Sequence, residues 1–493
     1  MFAVFLSSGL FLGWSLGAND ASNVFGTAVG SKMIRFRTAA ICCSIFIILG
    51  SVFSGAGASH TLGKLGAVNA IAGAFIVAFS AGLSVYLMTR AGYPVSTSQA
   101  IVGAIIGWNL FSGSLTDYHS LSRIVLTWVA CPVIAAGFAI VIHLAVAFLI
   151  RNIKLHILTL DSLTRSGLLI VGAFGSYSLG ANNIANVMGV FVPVSPFSDI
   201  SLCGVFRLTS EQQLFFIGGV AIAVGVFTYS KRVMMTVGQG IMELSPVAAF
   251  VVVSAHSIVL FVFSSQGLES FLMGLGLPTL PLVPVSSSQA IVGAVIGIGL
   301  LKKGRGIRWR VLTGISSGWV VTPVIAALVS FISLFFLQNV FEQKTYRPVS
   351  YQVTDQAYQK IKNAGIAAGD MESLKGILFF SAKKFNKALT DKAGLSGKDR
   401  DFVLSAAQID NIRITGNKLR EISNDNRWIT EEQALDLGRL KDKSFQHRWQ
   451  FREALSEISP YWRFRTDDDH HNAELRHKYS HLYKLFREDP WQE

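Results

Sequence analysis

The chain has 493 residues, and its 43 Lys and Arg outnumber its 30 Asp and Glu to give a formal net charge of +13. Residues 1–340 contain only 17 basic and 7 acidic residues, whereas residues 341–493 contain 26 and 23. The first part is too apolar for a soluble domain and long enough to cross a bilayer many times. Its loops carry most of the net charge, which membrane topology explains better than a nucleic-acid surface does.

Ten apolar elements follow one another in the first part, separated by polar breaks: 2–30, 38–55, 69–90, 95–111, 123–150, 166–191, 212–229, 240–264, 284–300 and 311–338. The first has no basic stretch before it and is predicted as a spanning helix, not a cleaved leader. We therefore predict a first membrane repeat at 1–150, a basic cytoplasmic link at 151–165, a second repeat at 166–340 and a soluble domain at 341–493.

Three sequence blocks recur in the same order in both repeats. Gly17-Ala-Asn-Asp-Ala-Ser-Asn23 matches Gly180-Ala-Asn-Asn-Ile-Ala-Asn186, and Pro94 to Gly107 matches Pro284 to Gly297 at 12 of 14 positions. The third pair is Trp128-Val129…Pro132-Val-Ile-Ala-Ala136 and Trp319-Val320…Pro323-Val-Ile-Ala-Ala327. Five elements in each repeat place the second copy upside down relative to the first. The predicted fold is thus an all-α polytopic membrane protein with two inverted repeats.

The loops indicate an orientation. When they are assigned alternately to the two sides, fourteen Lys and Arg fall on one side and three on the other, namely Lys64, Arg123 and Arg207. The richer side is predicted to be cytoplasmic, which places the N-terminus outside. The same parity places the tail outside, unless one of the short elements turns back without crossing.

The first block puts a carboxylate and several amides into apolar sequence. Such groups cost several kcal/mol unless they are paired, hydrated or bound to an ion. A helix broken at Gly17 or Gly180 would expose backbone carbonyls next to them, and this oxygen-rich site would suit a small cation. An amide pair that joins two helices is the alternative. The predicted cation-binding residues are Asn19, Asp20, Asn182 and Asn183, with Na⁺ as the ion if sodium is coupled.

The second block reads as the start of a helix. Ser96 and Ser286 are its predicted caps, and free N–H groups at a helix start favour an anion. Capping explains one serine but not four consecutive polar residues that are repeated. The predicted anion-binding residues are Ser96, Thr97, Ser98, Gln99, Ser286, Ser287, Ser288 and Gln289, together with Asn23 and Asn186.

Glu243 is the other acidic residue that the sequence places near a membrane segment. It could contribute to coupling, or it could lie at the interface near Lys231 and Arg232. We include it among the coupling residues. The four cysteines have neither disulfide nor metal-ligand spacing, and we predict no cofactor beyond a co-transported Na⁺ or H⁺.

The paired blocks resemble those of the inorganic phosphate transporter family, over about residues 1–340. The resemblance implies inverted repeats, a phosphate site between the halves, and uptake driven by Na⁺ in many members and by protons in others. It implicates Asp20, Asn23, Asn186 and the two serine blocks in binding. Many members have Asp in both copies, whereas this chain has Asn183 in the second. The family also includes sulphate permeases.

The tail resembles no family that its sequence identifies. Thr430-Glu-Glu-Gln433 has capping-box spacing and predicts a helix over about 431–458 in a small folded domain. Its partner is not specified by the sequence.

The expected function is import of inorganic phosphate with a cation, Na⁺ in first place, by a multi-pass protein of the cytoplasmic membrane. A sulphate permease is the rival of the same fold, and a membrane anchor or sensor acting through the tail is the rival of another class. No nucleotide-binding motif or nucleophile–base pair is found, so we predict neither an ATP-driven pump nor an enzyme. A homo-oligomer is left open.

Overall fold

The structure is a computed structural model that describes residues 2–488 except 67, 91–94, 154–155, 198, 203–205, 241, 305, 367–369, 425–427 and 467. Pro94, which opens the first serine block, therefore lies outside the described residues. The chain forms two compact units: 1–112, 116–202 and 206–347 make up the first, and 348–493 make up most of the second. The predicted domain boundary was 340/341.

The described residues of the first repeat form six α-helices: α1 Phe2–Gly30, α2 Phe36–Ser54, α3 Ala56–Leu65, α4 Ile71–Arg90, α5 Thr97–Ser112 and α6 Tyr118–Asn152. Those of the second form seven α-helices and a short hairpin: α7 Ile157–Met188, β1 Ile200–Leu202, β2 Phe206–Leu208, α8 Ser210–Thr228, α9 Ser230–Gly240, α10 Pro246–Val262, α11 Gln266–Gly274, α12 Ser287–Leu301 and α13 Trp309–Asn339. Because α7 begins at Ile157, most of the segment predicted as a link is helical.

Seven described helices are long and apolar enough to span a membrane: α1, α2, α4, α6, α7, α8 and α13. The pair α10 and α11 is bent by 72° at a short break and gives an eighth span if the two count as one. The helices of the serine blocks, α5 and α12, have 16 and 15 residues and are too short to cross alone. The break predicted at Gly17 or Gly180 is wrong, because α1 and α7 are continuous helices through these glycines. The bent pair of α10 and α11 and the short α5 and α12 supply the broken helices of the predicted fold class, which is confirmed.

The two repeats are interlocked by reciprocal contacts. The first helix of each repeat packs against the second helix of the other, as α1 on α8 and α7 on α2. The helix that begins at the serine block of each repeat, α5 or α12, packs against the last helix of the other repeat. These contacts are α5 on α13 and α12 on α6. Such an exchange of equivalent partners is what an internal two-fold relation produces.

Glycines of the repeated blocks permit these close contacts. A Cβ atom at Gly17 would overlap the carbonyl of Ile222 on α8, and one at Gly180 would overlap the carbonyl of Ile47 on α2. The third block supplies the surface on which the serine-block helices pack. A Cβ atom at Gly103 would overlap the Pro323 carbonyl, and Gly293 makes the same close approach to the carbonyl of the other proline, at 132.

The second unit is helical with short strands: β3 Ser350–Gln352, α14 Asp355–Asn363, β4 Leu378–Phe379, α15 Ala382–Asp391, α16 Gly397–Ala407, β5 Gln408–Ile409, β6 Ile412–Arg413, α17 Gly416–Asn424, α18 Glu431–Gly438, β7 Ser444–Phe445, α19 Arg448–Ile458 and α20 Asp469–Phe486. Antiparallel strands pair in the order β4-β3-β5, and β6 pairs with β7. The capping box at Thr430 is confirmed. The single helix predicted over 431–458 is wrong, because β7 separates α18 from α19.

Two hydrophobic cores fill this unit, one around Phe385 and one around Phe451. His447, which precedes α19 in the part around Phe451, contacts two elements of the part around Phe385, namely β5 and the start of α14. Its Nδ1 lies 2.7 Å from the carbonyl oxygen of Gln408, and its Nε2 lies 3.2 Å from Oγ1 of Thr354, the N-cap of α14. A neutral ring satisfies both contacts, because Nδ1–H donates to the carbonyl and Nε2 accepts from the hydroxyl.

The stability of this unit is expected to fall in mild acid. Burial lowers the pKa of His447, with a partial offset from the Gln408 carbonyl and from Asp410. The unfolded chain, with its ordinary His pKa of 6.5, then binds the proton more readily than the folded chain does. The contribution of the neutral ring is complete above pH 6.5 and declines as pH falls toward the lower pKa of the folded state. Thermal unfolding of residues 348–493 as a function of pH measures this.

His447→Gln is the control for that experiment, because an amide retains hydrogen bonding but does not titrate in this range. The variant should lose the part of the pH dependence that lies just below 6.5, while the part due to carboxylates stays. Equal pH profiles for the two proteins would contradict the assignment.

Candidate functional site

The two serine blocks meet inside the first unit. Ser96 precedes α5 and Ser286 caps α12, and each accepts a hydrogen bond at 3.3 Å from the backbone N–H of the glutamine three residues later. Both predicted caps are therefore confirmed. Ser98 Oγ, in the first turn of α5, donates to the carbonyl of Val285 at 3.0 Å, just before α12. The starts of two helices from different repeats thus lie side by side.

Asparagines of the first repeated block, at Gly17–Asn23 and Gly180–Asn186, form hydrogen bonds with the backbone segments that precede α5 and α12. Asn19 Nδ2 donates to the carbonyl of Val95 at 2.9 Å. In the second repeat, Asn182 Nδ2 donates to the carbonyl of Val283 at 3.2 Å, and its Oδ1 accepts from the N–H of Val285 at 3.0 Å. Each asparagine replaces the backbone partners that an extended segment lacks inside a helical protein.

Other amides cross from one repeat to the serine block of the other. Asn23 Nδ2 donates to Ser287 Oγ at 3.0 Å, and Asn186 Nδ2 donates to Ser98 Oγ at 2.8 Å. Asn186 also donates to Asn183 Oδ1 at 2.9 Å. The blocks that lie far apart in the sequence thus form one continuous polar cluster.

The cluster is sealed from the protein surface. Fourteen of the fifteen predicted site residues are at most 3% exposed, and together they are Asn19, Asp20, Asn23, Ser96, Thr97, Ser98, Gln99, Asn182, Asn183, Asn186, Ser286, Ser287, Ser288 and Gln289. Hydrogen bonds inside such a site act in a low dielectric and are stronger than in water. Polar groups in this setting need partners.

Asp20 supplies the carboxylate of the cluster. Its Oδ1 accepts from Asn19 Nδ2 at 2.9 Å, and its Oδ2 accepts from Thr97 Oγ1 at 3.4 Å. No Lys or Arg forms an ion pair with it among the residues that the structure describes. A buried carboxylate without a cationic side chain is the type of ligand that binds a small cation in a membrane protein.

Within the described part of the chain, four amide oxygens of the cluster have no hydrogen-bond partner: Asn19 Oδ1, Gln99 Oε1, Asn186 Oδ1 and Gln289 Oε1. The orientations of the two asparagines follow from their Nδ2 atoms, which face acceptors. Unpaired buried acceptors are rare in native proteins. These oxygens can coordinate a hard cation or accept from an O–H group of a protonated oxyanion. Across the described chain, no group of three or more His, Cys, Asp or Glu forms a metal site of another kind.

Glu243 is not part of this cluster. It lies in the segment before α10, its side chain is 83% exposed, and it pairs with Arg308 at 3.4 Å. Exposed ion pairs of this type contribute little. The structure thus places Glu243 at the protein surface, unlike the fourteen other predicted residues.

His256 on α10 does belong to the cluster, although the sequence did not single it out. It is fully buried, and its Nε2 lies 2.9 Å from Ser287 Oγ, the atom that also accepts from Asn23. A single histidine in the apolar run of α10 gives no periodic signal. Its position opposite the serine block could be found only from the packing of α10 on α12.

The family model of phosphate transporters matches residues 16–330 and 270–484. The chain belongs to the phosphate transporter family. A candidate phosphate permease of Methanocaldococcus jannaschii is 30% identical over 65% of this family member and 93% of the relative. One from Haemophilus influenzae is 26% identical over 68% and 96%. These relatives are named as permeases and not as enzymes.

A solved structure has the same fold as this phosphate transporter family member. It is named the sodium-dependent phosphate transporter, and it superposes with a TM-score of 0.54 at 23% identity. The match covers 68% of this chain and 98% of the solved chain. Family and fold agree that the protein is a multi-pass membrane protein.

Proposed function

We propose that this protein imports inorganic phosphate together with a cation by alternating access. Na⁺ is the first candidate for the cation. The observation that carries the proposal is the meeting of two serine-block helix starts from opposite repeats inside one buried polar cluster. The names of the relatives support phosphate as the substrate, and the name of the solved structure supports sodium.

Phosphate would bind where the two helix starts meet. Ser287 and Ser288 offer hydroxyl donors there, and the first turns of α5 and α12 add backbone N–H groups and the positive ends of two helix dipoles. The hydroxyls of Thr97 and Ser98 donate to Asp20 and to the Val285 carbonyl in this structure and would turn toward the anion when it binds. None of these donors carries a formal charge. The site would therefore hold a tetrahedral anion without the tight ion pair that would prevent release.

The cation would bind next to it, at Asp20 and the unpaired oxygen of Asn19. Phosphate carries between one and two negative charges near neutral pH. A potential negative inside opposes its entry by about 2.3 kcal/mol per charge per 100 mV. Co-transported cations offset that cost, which gives a physical reason for placing both sites together. Asn182 and Asn183 occupy the equivalent place in the second repeat.

The interlocked repeats would provide the movement. Rigid-body rocking of one inverted repeat against the other exposes a central site to each side in turn. The cross-repeat bonds from Asn23 to Ser287 and from Asn186 to Ser98 are the contacts that such a movement changes. We place the protein in the cytoplasmic membrane, with the lysine- and arginine-rich loops inside and the N-terminus outside.

Uptake of labelled phosphate into proteoliposomes tests the proposal, with sodium and proton gradients imposed separately. Sodium-driven accumulation is the expected result. Competition by sulphate distinguishes the rival anion: strong inhibition at equal concentration would favour a sulphate permease. Absence of phosphate uptake under both gradients would refute the proposed function.

Deletion of the tail should leave uptake intact. The cut belongs after Arg347, because the Thr345 carbonyl accepts from Trp108 Nε1 at 3.1 Å and the Arg347 N–H donates to Asn69 Oδ1 at 2.8 Å. A protein that ends at residue 347 should therefore keep the full membrane unit and transport phosphate at a rate near that of the whole chain. A complete loss of uptake with normal membrane insertion would favour a protein that acts through its tail.

A further inference from the structure

His256 is a fully buried histidine of the first compact unit, which contains the membrane helices and is called the membrane unit below. Of the described side chains in residues 1–347, Asp20 and His256 are the only fully buried Asp, Glu, His, Lys or Arg. They come from different repeats, since Asp20 lies on α1 and His256 on α10. The second repeat has the neutral Asn183 where the first has Asp20, so each repeat contributes one ionisable group to the cluster.

The hydrogen bonds around Ser287 select one tautomer of His256. Ser287 Oγ accepts from Asn23, and His256 Nδ1 has no partner among the residues that the structure describes. If Ser287 donated to Nε2, Nδ1 would carry a buried N–H without an acceptor, which is rare. If Nε2–H donates to Ser287, both lone pairs of the hydroxyl oxygen are occupied and its hydrogen remains free to bind an anion. This second arrangement leaves Nδ1 with an open lone pair.

The described residues of the helices around His256 include no buried Lys or Arg. The helices packed against α10 are α1, α6, α7 and α12. Among their titratable side chains, Asp20 on α1 and Cys131 on α6 are buried, and α12 has none. On α7, Asp161 and Arg165 are exposed and paired with each other, and Tyr177 bonds to Ser54. The other titratable side chains of α6 are exposed or half-buried, namely Tyr118, His119, Arg123, His143 and Arg151.

We propose that His256 accepts a proton when phosphate binds, so that the occupied site holds a hydrogenphosphate dianion beside a histidinium ion. The inference rests on the proposed phosphate site. It assigns the second repeat a proton where the first repeat has a carboxylate for a metal cation. A buried imidazolium is unfavourable alone, but a dianion that contacts Ser287 offsets its charge.

The proton balance of the step is simple. HPO₄²⁻ enters the site, a buffer acid gives up one proton, and an N–H bond forms at Nδ1 of His256, which holds the open lone pair. The hydrogen bond from Nε2–H to Ser287 Oγ is kept throughout. At the opposite face phosphate leaves, the N–H bond at Nδ1 breaks, and the proton returns to water. One positive charge thus accompanies each dianion in addition to any Na⁺ bound at Asp20.

Calorimetric titration of the full-length protein with inorganic phosphate tests this inference. Titrations in two buffers that differ in ionisation enthalpy give the number of protons taken up. At about pH 8, where phosphate is mostly dianion, the wild type should take up about one proton per phosphate bound. His256→Gln retains an N–H near Ser287 but does not titrate, so its proton uptake should vanish. His143→Gln on α6 is the matched control and should behave as wild type.

The outcomes separate this inference from the proposed function. Phosphate binding without proton uptake by the wild type, or equal uptake by His256→Gln, overturns the role of His256 and leaves phosphate transport standing. Absence of phosphate binding by the wild type overturns both. A second measurement uses the wild type alone and so does not depend on the folding of a variant. The infrared difference spectrum between phosphate-bound and free protein should show an imidazolium band, and this band should shift when the histidines are labelled with ¹⁵N. Its absence also overturns the inference.

Discussion

Asp20→Asn is expected to reduce sodium-driven phosphate uptake by at least about 100-fold. Asparagine keeps the size of the side chain and can still accept from Thr97, but it removes the buried carboxylate of the cluster. A cation in the membrane interior would then be held by uncharged oxygens, at a cost of several kcal/mol. Initial rates of labelled phosphate uptake into proteoliposomes measure the effect, with the amount of folded protein determined by size-exclusion chromatography.

Asn183→Asp provides the matched variant, because it places a carboxylate at the equivalent position of the second repeat. Alone it should leave measurable uptake. Combined with Asp20→Asn, it should restore part of the lost rate, since the internal two-fold relation gives position 183 a similar setting. Wild-type rates for Asp20→Asn would contradict the assignment of Asp20 to the cation.

Gly103→Ala should strongly destabilise the membrane unit. The added Cβ would overlap the carbonyl oxygen of Pro323, so that α5 must move away from α13. Overpacking of this kind typically costs about 1–3 kcal/mol. The melting temperature of the detergent-solubilised protein should fall, and Gly293→Ala should have a similar effect through Pro132.

Gly137→Ala is the control, because a Cβ atom at this position of α6 meets nothing within 4 Å. Its stability should equal or slightly exceed that of the wild type, since alanine is favoured over glycine in a helix by about 1 kcal/mol. A similar fall in melting temperature for Gly103→Ala and Gly137→Ala would mean that the close approach of α5 and α13 does not limit stability.

The repeated blocks allowed much of this architecture to be predicted. Two copies of one unit imply equivalent positions in space, so Ser98 and Ser287 could be assigned to a common site before any distance was known. Capping chemistry placed the starts of α5 and α12 correctly, because a serine before an apolar run is a local signal. What the blocks did not contain was the pairing between repeats, which depends on the reciprocal packing of whole helices.

Isolated residues were harder to assign. A glutamate just before an apolar run predicts a coupling role for Glu243, yet its exposed carboxylate pairs with Arg308. No local pattern in the sequence points to His256, although Ser254-Ala255-His256 resembles Ser80-Ala81-Gly82 of the first repeat. The signal that identifies His256 is therefore a difference between the two copies, with a histidine in the second repeat where the first has Gly82.

The tail shows the limit of a local signal in another way. The capping box at Thr430 fixed where α18 begins, but helix periodicity continued past the point where the chain leaves the helix to form β7. Strand pairing between β6 and β7 joins residues about thirty positions apart. A contact of this range leaves no trace in the spacing of neighbouring apolar residues.

The reciprocal packing of α1 on α8 and of α5 on α13 also constrains how the protein is made. When the first half leaves the ribosome, the surfaces around Gly17 and Gly103 face lipid. Asp20 then lacks the part of the polar cluster that the second repeat supplies. Assembly is therefore completed only after α13 has been inserted. A substitution at these contacts in one half is therefore tolerated only if the other half can accommodate it.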